Sequence, residues 1–405
     1  MGTNIATAFL SILSMYLIAT PIFLFLLYET MILAFANARK KHLNNSFQTA
    51  GKGSLEVIVP IYSEPIELVV EKTRWNSTVF LLSPCFTRLT LLSDDVGDYV
   101  KILTEFLGYE LPVHVFHRSS RRGGRTGALD DYLGDIKASH FLILDVDAEA
   151  TSEIVSKLCR MLPRRGAVVM PWEGYYTRET RLARAVKFFT DFGSEILYRA
   201  RSKAGFFIFP LGSGTVYDKS VVLEVGGWGD NIVQDDIWMG VKLAMHGYYT
   251  TLFDDLSVRV LVPSTYAALR VQQKRWAYGT SDVLRRSALK LVRSQKLSLW
   301  KRLEMIAYMS LPLLTIPVSI AFLLLPIASI LEPHVGLNIF FSETFHILAP
   351  FLLLLPVYLY LYRSLIRKYC LKETLVNLGR FAAILATLSP NLAWYSLKGL
   401  SLIHI

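Results

Sequence analysis

The chain has 405 residues, of which 52% are hydrophobic and only 19% charged. Soluble domains carry nearer a quarter charged residues, so a disordered chain is excluded and a wholly water-soluble one is disfavoured. Forty-three Lys and Arg against 33 Asp and Glu leave a net charge of +10, a balance suited to facing phosphate in a nucleotide, a nucleic acid or an anionic lipid.

Ile5 to Tyr28 carries no charge and is long enough for one bilayer-spanning helix. Met1–Asn4 lacks Lys and Arg, which argues for a retained anchor over a cleaved signal peptide. Arg39-Lys40-Lys41 follow it. Between about residues 50 and 280, short apolar runs alternate with helical stretches: Leu55–Pro60, Leu89–Ser93, Val113–Phe116, Phe141–Leu144 and Ala167–Met170. That alternation predicts an α/β domain with a mostly parallel sheet. The cysteines, Cys85, Cys159 and Cys370, are too widely spaced for a disulfide framework or a CxxC zinc site and read as small apolar residues.

Ligands of such sheets bind beyond the carboxyl ends of the strands, and carboxylates stand there. Asp94-Asp95 follows the second run and Asp145-Val146-Asp147 the fourth. Two carboxylates in a DxD can converge on a divalent cation, which takes one or two carboxylates plus substrate phosphates and neutralises a diphosphate leaving group. Taken alone, the triplet also suits a surface loop. His114 and His117, three apart in a strand, point to opposite faces and share no metal; His246 reads as a helix C-terminal charge. Gln234-Asp235-Asp236 opens a helical pattern, where an acid serves as a helix cap or as a catalytic base.

Farther on, Gln272, Arg275 and Trp276 share a helix face. Arg offers forked donors for phosphate, and Trp a flat plate for a sugar. Val283–Arg302 is basic and amphipathic, either an interfacial helix on an anionic leaflet or a solvated surface helix. Met305–Leu331 and Thr344–Tyr362 are further uncharged runs, and Phe381–Leu397, containing Pro390, a shorter fourth. The flanking basic residues orient the spans: N-terminus outside, the middle of the chain in the cytoplasm, Glu332–Glu343 outside, Arg363–Lys372 inside.

The order DD, DxD, xDD and QxxRW resembles the processive, membrane-bound family 2 glycosyltransferases, the group of cellulose, chitin and hyaluronan synthases. The resemblance covers about Ser54 to Trp276 and the spans that follow. It implies an α/β GT-A catalytic domain, Rossmann-like with a mostly parallel sheet, flanked by transmembrane α-helices. The expected division is a 1–38 anchor, a 50–262 cytoplasmic glycosyltransferase domain, a 263–302 QxxRW and interfacial segment, and 303–405 transmembrane helices.

Site residues follow from the same resemblance. Pro60, Tyr62 and Glu64 belong to the turn under the nucleotide, and Asp94 and Asp95 to the pair at its base. Arg125-Thr126-Gly127-Ala128-Leu129-Asp130 resembles the KAGALN element near the diphosphate, with Arg for Lys and Asp for Asn. Asp145 and Asp147 are the expected metal ligands for Mg²⁺ or Mn²⁺, Asp145 also lying against the nucleotide sugar. Gly212, Ser213 and Gly214 shape the acceptor site, and Gly226-Gly227-Trp228 is the turn before the base. Asp236 is the expected base, Asp235 the alternative, and Asp235 is otherwise expected toward the acceptor. Gln272 and Arg275 are expected on the diphosphate and Trp276 on the acceptor sugar.

The implied activity is inverting transfer from a nucleotide-diphosphate sugar, a UDP-sugar by family habit, to a growing polysaccharide passed through the membrane region. The implied location is the plasma membrane, with the catalytic domain cytoplasmic and a homo-oligomer able to supply further spans. The alternative is a non-processive transferase adding one sugar to a polyprenyl phosphate or diacylglycerol. A transporter would need polar residues at the membrane midplane, and no nucleic-acid motif accompanies the positive charge.

Overall fold

Each of the five apolar runs forms a strand in the computed structural model, which describes residues 2–39, 53–108, 111–331, 349–363 and 370–401. They are β1 (Leu55–Ile61), β2 (Phe86–Ser93), β3 (Val113–His117), β4 (His140–Ile143) and β5 (Gly166–Val169). Four shorter strands follow: β6 (Trp172–Tyr175), β7 (Thr215–Asp218), β8 (Tyr249–Leu252) and β9 (Val258–Leu261). Seven of them make one sheet in the order β3-β2-β1-β4-β7-β5-β8, and β6 and β9 pair separately. Only β7 runs against its neighbours β4 and β5; the other pairings are parallel. The sheet is therefore mostly parallel, as the alternation of strands and helices predicts.

Alternation along β1 divides the core. Leu55, Val57, Val59 and Ile61 join Val69, Phe80 and Leu103 on one face, while Ile58 meets Leu129, Tyr132, Phe141 and Trp228 on the other. Glu56, between them, is fully buried. It survives there because Thr90, Tyr132 and Arg88 all donate to its Oε1, at 2.6, 2.6 and 3.0 Å. From β1 the chain winds outward to β2 and β3, then returns to place β4 on the other side of β1. This reversal opens a crevice at the carboxyl ends of β1 and β4, where the DxD begins.

Beyond the sheet, the QxxRW motif lies on a 28-residue helix, Tyr266–Arg293, begun by the Thr265 side chain accepting from Ala268 N–H. The basic amphipathic stretch Val283–Arg302 is not one helix. It breaks after Arg293 and restarts at Leu299, where Ser298 caps the new helix Leu299–Ser310. Nor does its apolar face point wholly outward: Leu284 and Leu291 pack on Phe207, Phe209, Ile237 and Val241. Ile5–Ala38 and Leu299–Leu331 are the described helices long and apolar enough to cross a bilayer, and Ala349–Arg363 is shorter. The run Phe381–Leu397 is the middle of Leu371–Leu400, which lies along the QxxRW helix; Tyr266 Oη donates to Thr387 O at 3.2 Å, and Arg285 Nε to Gly399 O at 3.2 Å. The loop Glu332–Glu343, with Lys40, Lys41, Arg367 and Lys368, falls outside the described residues.

The cysteine reading needs correction. Cys85 and Cys159 form a disulfide across 74 residues of sequence, with Cα atoms 5.6 Å apart. The segment after β4 folds back beside the start of β2, a proximity that linear spacing does not reveal. Cys370 is free and exposed.

Candidate active site

The turn after β1 is shaped by Asp95. Ser63 adopts a left-handed φ of 58°, unfavourable for a residue with a side chain, and its N–H donates to Asp95 Oδ1 at 2.7 Å. Asp95 Oδ2 accepts from Ser93 Oγ at 3.0 Å. Tyr62, just past Pro60, is exposed, and the Arg121 guanidinium lies 3.5 Å over its ring centre. Asp94 is committed elsewhere: Arg118 donates to both of its oxygens at 2.6 Å. Burial first, then Asp145 and Asp95, raise the proton affinity of Glu64 above the usual carboxylate range.

Across the crevice, the Asp145 N–H donates to Ser213 Oγ at 3.1 Å, which ties the DxD to the small-residue loop. Tyr175 Oη donates to Asp147 O at 2.7 Å. Two residues on, Glu149 is clamped between Lys72 at 2.7 Å and Arg259 at 2.6 Å. Desolvation, then the charges of Asp145 and Glu64, push the Asp147 carboxyl up to about 7. Three carboxylates thus repel one another at the switch point, a concentration of negative charge that a divalent cation would relieve. Asp145 and Asp147 fit an ion completed by substrate phosphates.

Arg125 joins the motifs. Its Nη1 meets Asp145 Oδ1 at 2.5 Å, its Nε lies 3.1 Å from Asp235 Oδ2, and its Nη2 donates to Gly212 O at 2.6 Å. One planar guanidinium spans the DxD, the acidic helix start and the small-residue loop at Gly212, which a point-charge ammonium could not do.

Asp236 lies in the first turn of the helix Asp235–His246 and is buried. Gly212 N–H donates to its Oδ2 at 2.9 Å, and the Gln234 amide and Ile237 N–H to its Oδ1, each at 2.7 Å. Burial, then the neighbouring Asp235 charge, raise its carboxyl to about 7, against those donors and Arg125. The turn before this helix is held by Asp130, which accepts from the N–H groups of Trp228 at 2.7 Å and Gly229 at 2.6 Å. At Gly240 the helix leans on the segment leading into the small-residue loop; a Cβ on that glycine would come 2.7 Å from Pro210 Cδ and 2.9 Å from Phe209. The QxxRW helix docks at Gly279, where a Cβ would stand 2.8 Å from Gln234 Cβ.

Trp276 packs near Trp172, ring centres 6.2 Å apart, and Trp172 Nε1 donates to Ser213 O at 2.7 Å. Trp276 therefore reaches the small-residue loop at Ser213 through a second indole. Gln272 is half-buried on the same helix; Arg275 is exposed and forms no ion pair among the described residues. The fold draws Arg125, Asp145, Asp235, Asp236, Gly212 and Ser213 into one contact network, sets Gly214 beside it, and places Tyr62, Glu64, Asp94 and Asp95 after β1 and β2, where Glu64 feels the charge of Asp145. Trp172, Arg118 and Glu149 escaped the sequence reading. Glu149 alone left a signal, an acid two places after the DxD.

The chain has relatives in sequence and in fold. Residues 140–363 match the family model described as glycosyl transferase family group 2. A Sulfolobus acidocaldarius protein named "Probable glycosyltransferase" is 30% identical over 393 residues, 93% of this chain and 81% of that protein. Glucomannan 4-beta-mannosyltransferase 1 of rice, Oryza sativa subsp. japonica, is 25% identical over 195 residues, and the match takes in 47% of this chain and 37% of the plant protein. The chain thus spans well under half of that plant relative. Among solved structures, the mannosyltransferase PcManGT of Pyrobaculum calidifontis, determined with GDP-Man and Mn²⁺, shares the fold at a TM-score of 0.61 and 18% identity, covering 96% of this chain and 99% of that one. A GT-A sheet whose switch point carries the DxD, together with these matches, identifies the chain as a glycosyltransferase, a member of glycosyl transferase family group 2.

Proposed function

We propose that the chain is an inverting, divalent-metal-dependent transferase that moves a hexosyl group from a nucleotide-diphosphate sugar to a growing polysaccharide at the membrane surface. One observation carries this reading: a single guanidinium, Arg125, bridges the DxD carboxylate Asp145 and the acidic helix start that holds Asp236. Donor and acceptor machinery therefore share one cleft. The rice relative is named a mannosyltransferase and the solved neighbour binds GDP-Man with Mn²⁺, which makes GDP-mannose the first donor to test beside UDP-sugars.

In this mechanism the acceptor hydroxyl attacks the anomeric carbon from the face opposite the diphosphate. Asp236 takes the hydroxyl proton as the new glycosidic bond forms and the nucleotide diphosphate departs. A base whose proton affinity sits near neutrality is matched to that task and contributes roughly 10²–10⁴ in rate. The Gly212 N–H and the Gln234 amide aim its carboxylate. Asp145 and Asp147 would hold the cation, which when bound offsets the charge that develops on the leaving diphosphate. Arg125 and Arg275 add positive charge to that side, Tyr62, Glu64 and Asp95 line the nucleotide side, and Trp276 backed by Trp172 offers the acceptor sugar a flat face.

The two apolar helices support a membrane-bound enzyme. So does the exposed rim of Trp300, Leu299 and Tyr249, with Lys301 5.1 Å over the Tyr249 ring, a mix of aromatic and basic side chains suited to an anionic leaflet. We place residues 1–38 and 303–405 in the plasma membrane and 50–262 on its cytoplasmic side, joined by 263–302. A second reading, addition of one sugar to a lipid acceptor, draws on the position of Tyr308: this residue of an apolar helix stacks on Phe209, ring centres 4.9 Å apart, three residues before Gly212, whose N–H holds Asp236. Purified full-length protein offered GDP-mannose and UDP-sugars with Mn²⁺ tests both. Released nucleotide with a ladder of product masses supports the polymer, a single glycolipid supports the second reading, and no nucleotide release from any donor overturns both. EDTA is expected to abolish release and added Mn²⁺ or Mg²⁺ to restore it.

A further inference from the structure

Away from the acidic cleft, Arg201 and Glu304 form a buried ion pair, 0% and 5% exposed. Arg201 Nη2 meets Glu304 Oε1 at 2.5 Å, and Tyr28 Oη donates to the same oxygen at 2.8 Å. The guanidinium lies 4.3 Å from the centre of the Tyr308 ring, and that ring stacks on Phe209 with centres 4.9 Å apart. Three distant parts of the chain meet here: the N-terminal helix gives Tyr28, the catalytic domain Arg201 and Phe209, and the helix Leu299–Ser310 Glu304 and Tyr308. The next residue of the N-terminal helix, Glu29, accepts from Tyr358 Oη at 3.0 Å, so that helix is keyed at two successive positions.

The junction leads directly to the base. Phe209 runs through Pro210 to Gly212, whose N–H holds Asp236, and Gly240 of the base helix leaves no room for a side chain against Phe209 and Pro210. Residues 207–212 are thus caught between the ion pair and the helix that carries Asp236. Burying two charges is costly, and apolar residues of similar volume often hold such an interface as well or better. What a hydrogen-bonded pair adds is a single permitted register. Ionisable side chains on apolar helices are also uncommon and mark functional positions.

We infer that Arg201, Glu304 and Tyr28 are positioning residues that key the two apolar helices to the acceptor loop and so set the angle at which Asp236 meets the acceptor hydroxyl. This rests on Asp236 being the base, and it is independent of which sugar or acceptor is used. Because the junction contacts none of Asp145, Asp147 or Arg125, it governs transfer without governing donor binding.

The test uses the full chain with its membrane helices and four variants: Glu304→Gln, Tyr28→Phe, Arg201→Lys, and the double Arg201→Met/Glu304→Met. GDP affinity with Mn²⁺, transfer rate, hydrolysis of donor to water and melting temperature are read for each. Misaligning the reacting groups by about 1 Å costs up to roughly 10²-fold, so Glu304→Gln is expected to slow transfer about 10- to 100-fold. GDP affinity should stay within about twofold, and hydrolysis should rise relative to transfer. Tyr28→Phe should fall between Glu304→Gln and wild type, and Arg201→Lys, which keeps the charge, should lose less rate than Glu304→Gln. The double apolar variant should fold at least as stably as either single change and still transfer slowly. A double variant with wild-type transfer overturns the inference, as does a Glu304→Gln protein that loses GDP affinity and thermal stability in step with its rate. Normal transfer by Asp236→Asn, run alongside, would instead overturn the assignment of the base.

Discussion

Asp236 combines burial with three hydrogen bonds to its carboxylate, and two measurable consequences follow. In the proposed mechanism the ionised form is the base, so transfer at saturating donor should rise with pH through about 7 and level off above it. A rate flat from about pH 5 to about pH 9 would exclude a carboxylate base of this kind. The folded state also holds that proton more tightly than the unfolded chain does, so Asp236 lowers stability as pH climbs from the ordinary carboxylate value to about 7. Asp236→Asn should therefore bind nucleotide normally, lose about 10²–10⁴ in transfer and melt above wild type at alkaline pH, with the gap closing on acidification. Arg125 is tested differently. Lysine keeps the charge but not the fork, so Arg125→Lys should leave donor affinity within about threefold and slow transfer about tenfold; wild-type turnover would show that the three-way bridge is dispensable.

At the scale of elements, the cleft depends on helices that approach very closely. The QxxRW helix meets the QDD segment at Gly279 and the last described helix at Tyr278, where any side chain on Gly399 would overlap the carbonyl. Gly279→Val should cost about 1–3 kcal/mol, read as a lower melting temperature, and should reduce transfer more than nucleotide binding. Gly399→Val should produce the stability loss with a smaller effect on rate. These contacts also explain what the sequence made legible. Strands were plain because β1 to β5 contain short apolar runs, and β1, β4 and β5 are buried on both faces. The DxD and the QDD helix were plain because each follows a strand or opens a helical pattern. Trp172 and Arg118 were not, since their roles depend on Ser213 and Asp94 arriving from 41 and 24 residues away in sequence. The break at Ser294–Ser298 hid inside a continuous amphipathic pattern, because a serine cap interrupts the backbone without interrupting the spacing of apolar side chains.

Across the whole molecule, the apolar helices and the catalytic sheet form one connected body through the helices Leu299–Ser310 and Leu371–Leu400. The proposed membrane residence predicts that alkaline carbonate leaves the protein in the pellet fraction and detergent releases it; release by carbonate alone would argue for peripheral attachment. The Cys85–Cys159 bond has its own reach. It closes β2, β3 and β4, with the DxD segment Asp145–Asp147, into a covalent ring. The exposed Arg121-Arg122 pair lies inside that ring, so a tryptic cut there opens the circle without freeing a piece. On a gel the nicked chain should migrate as a single species until dithiothreitol is added, and only then part into two.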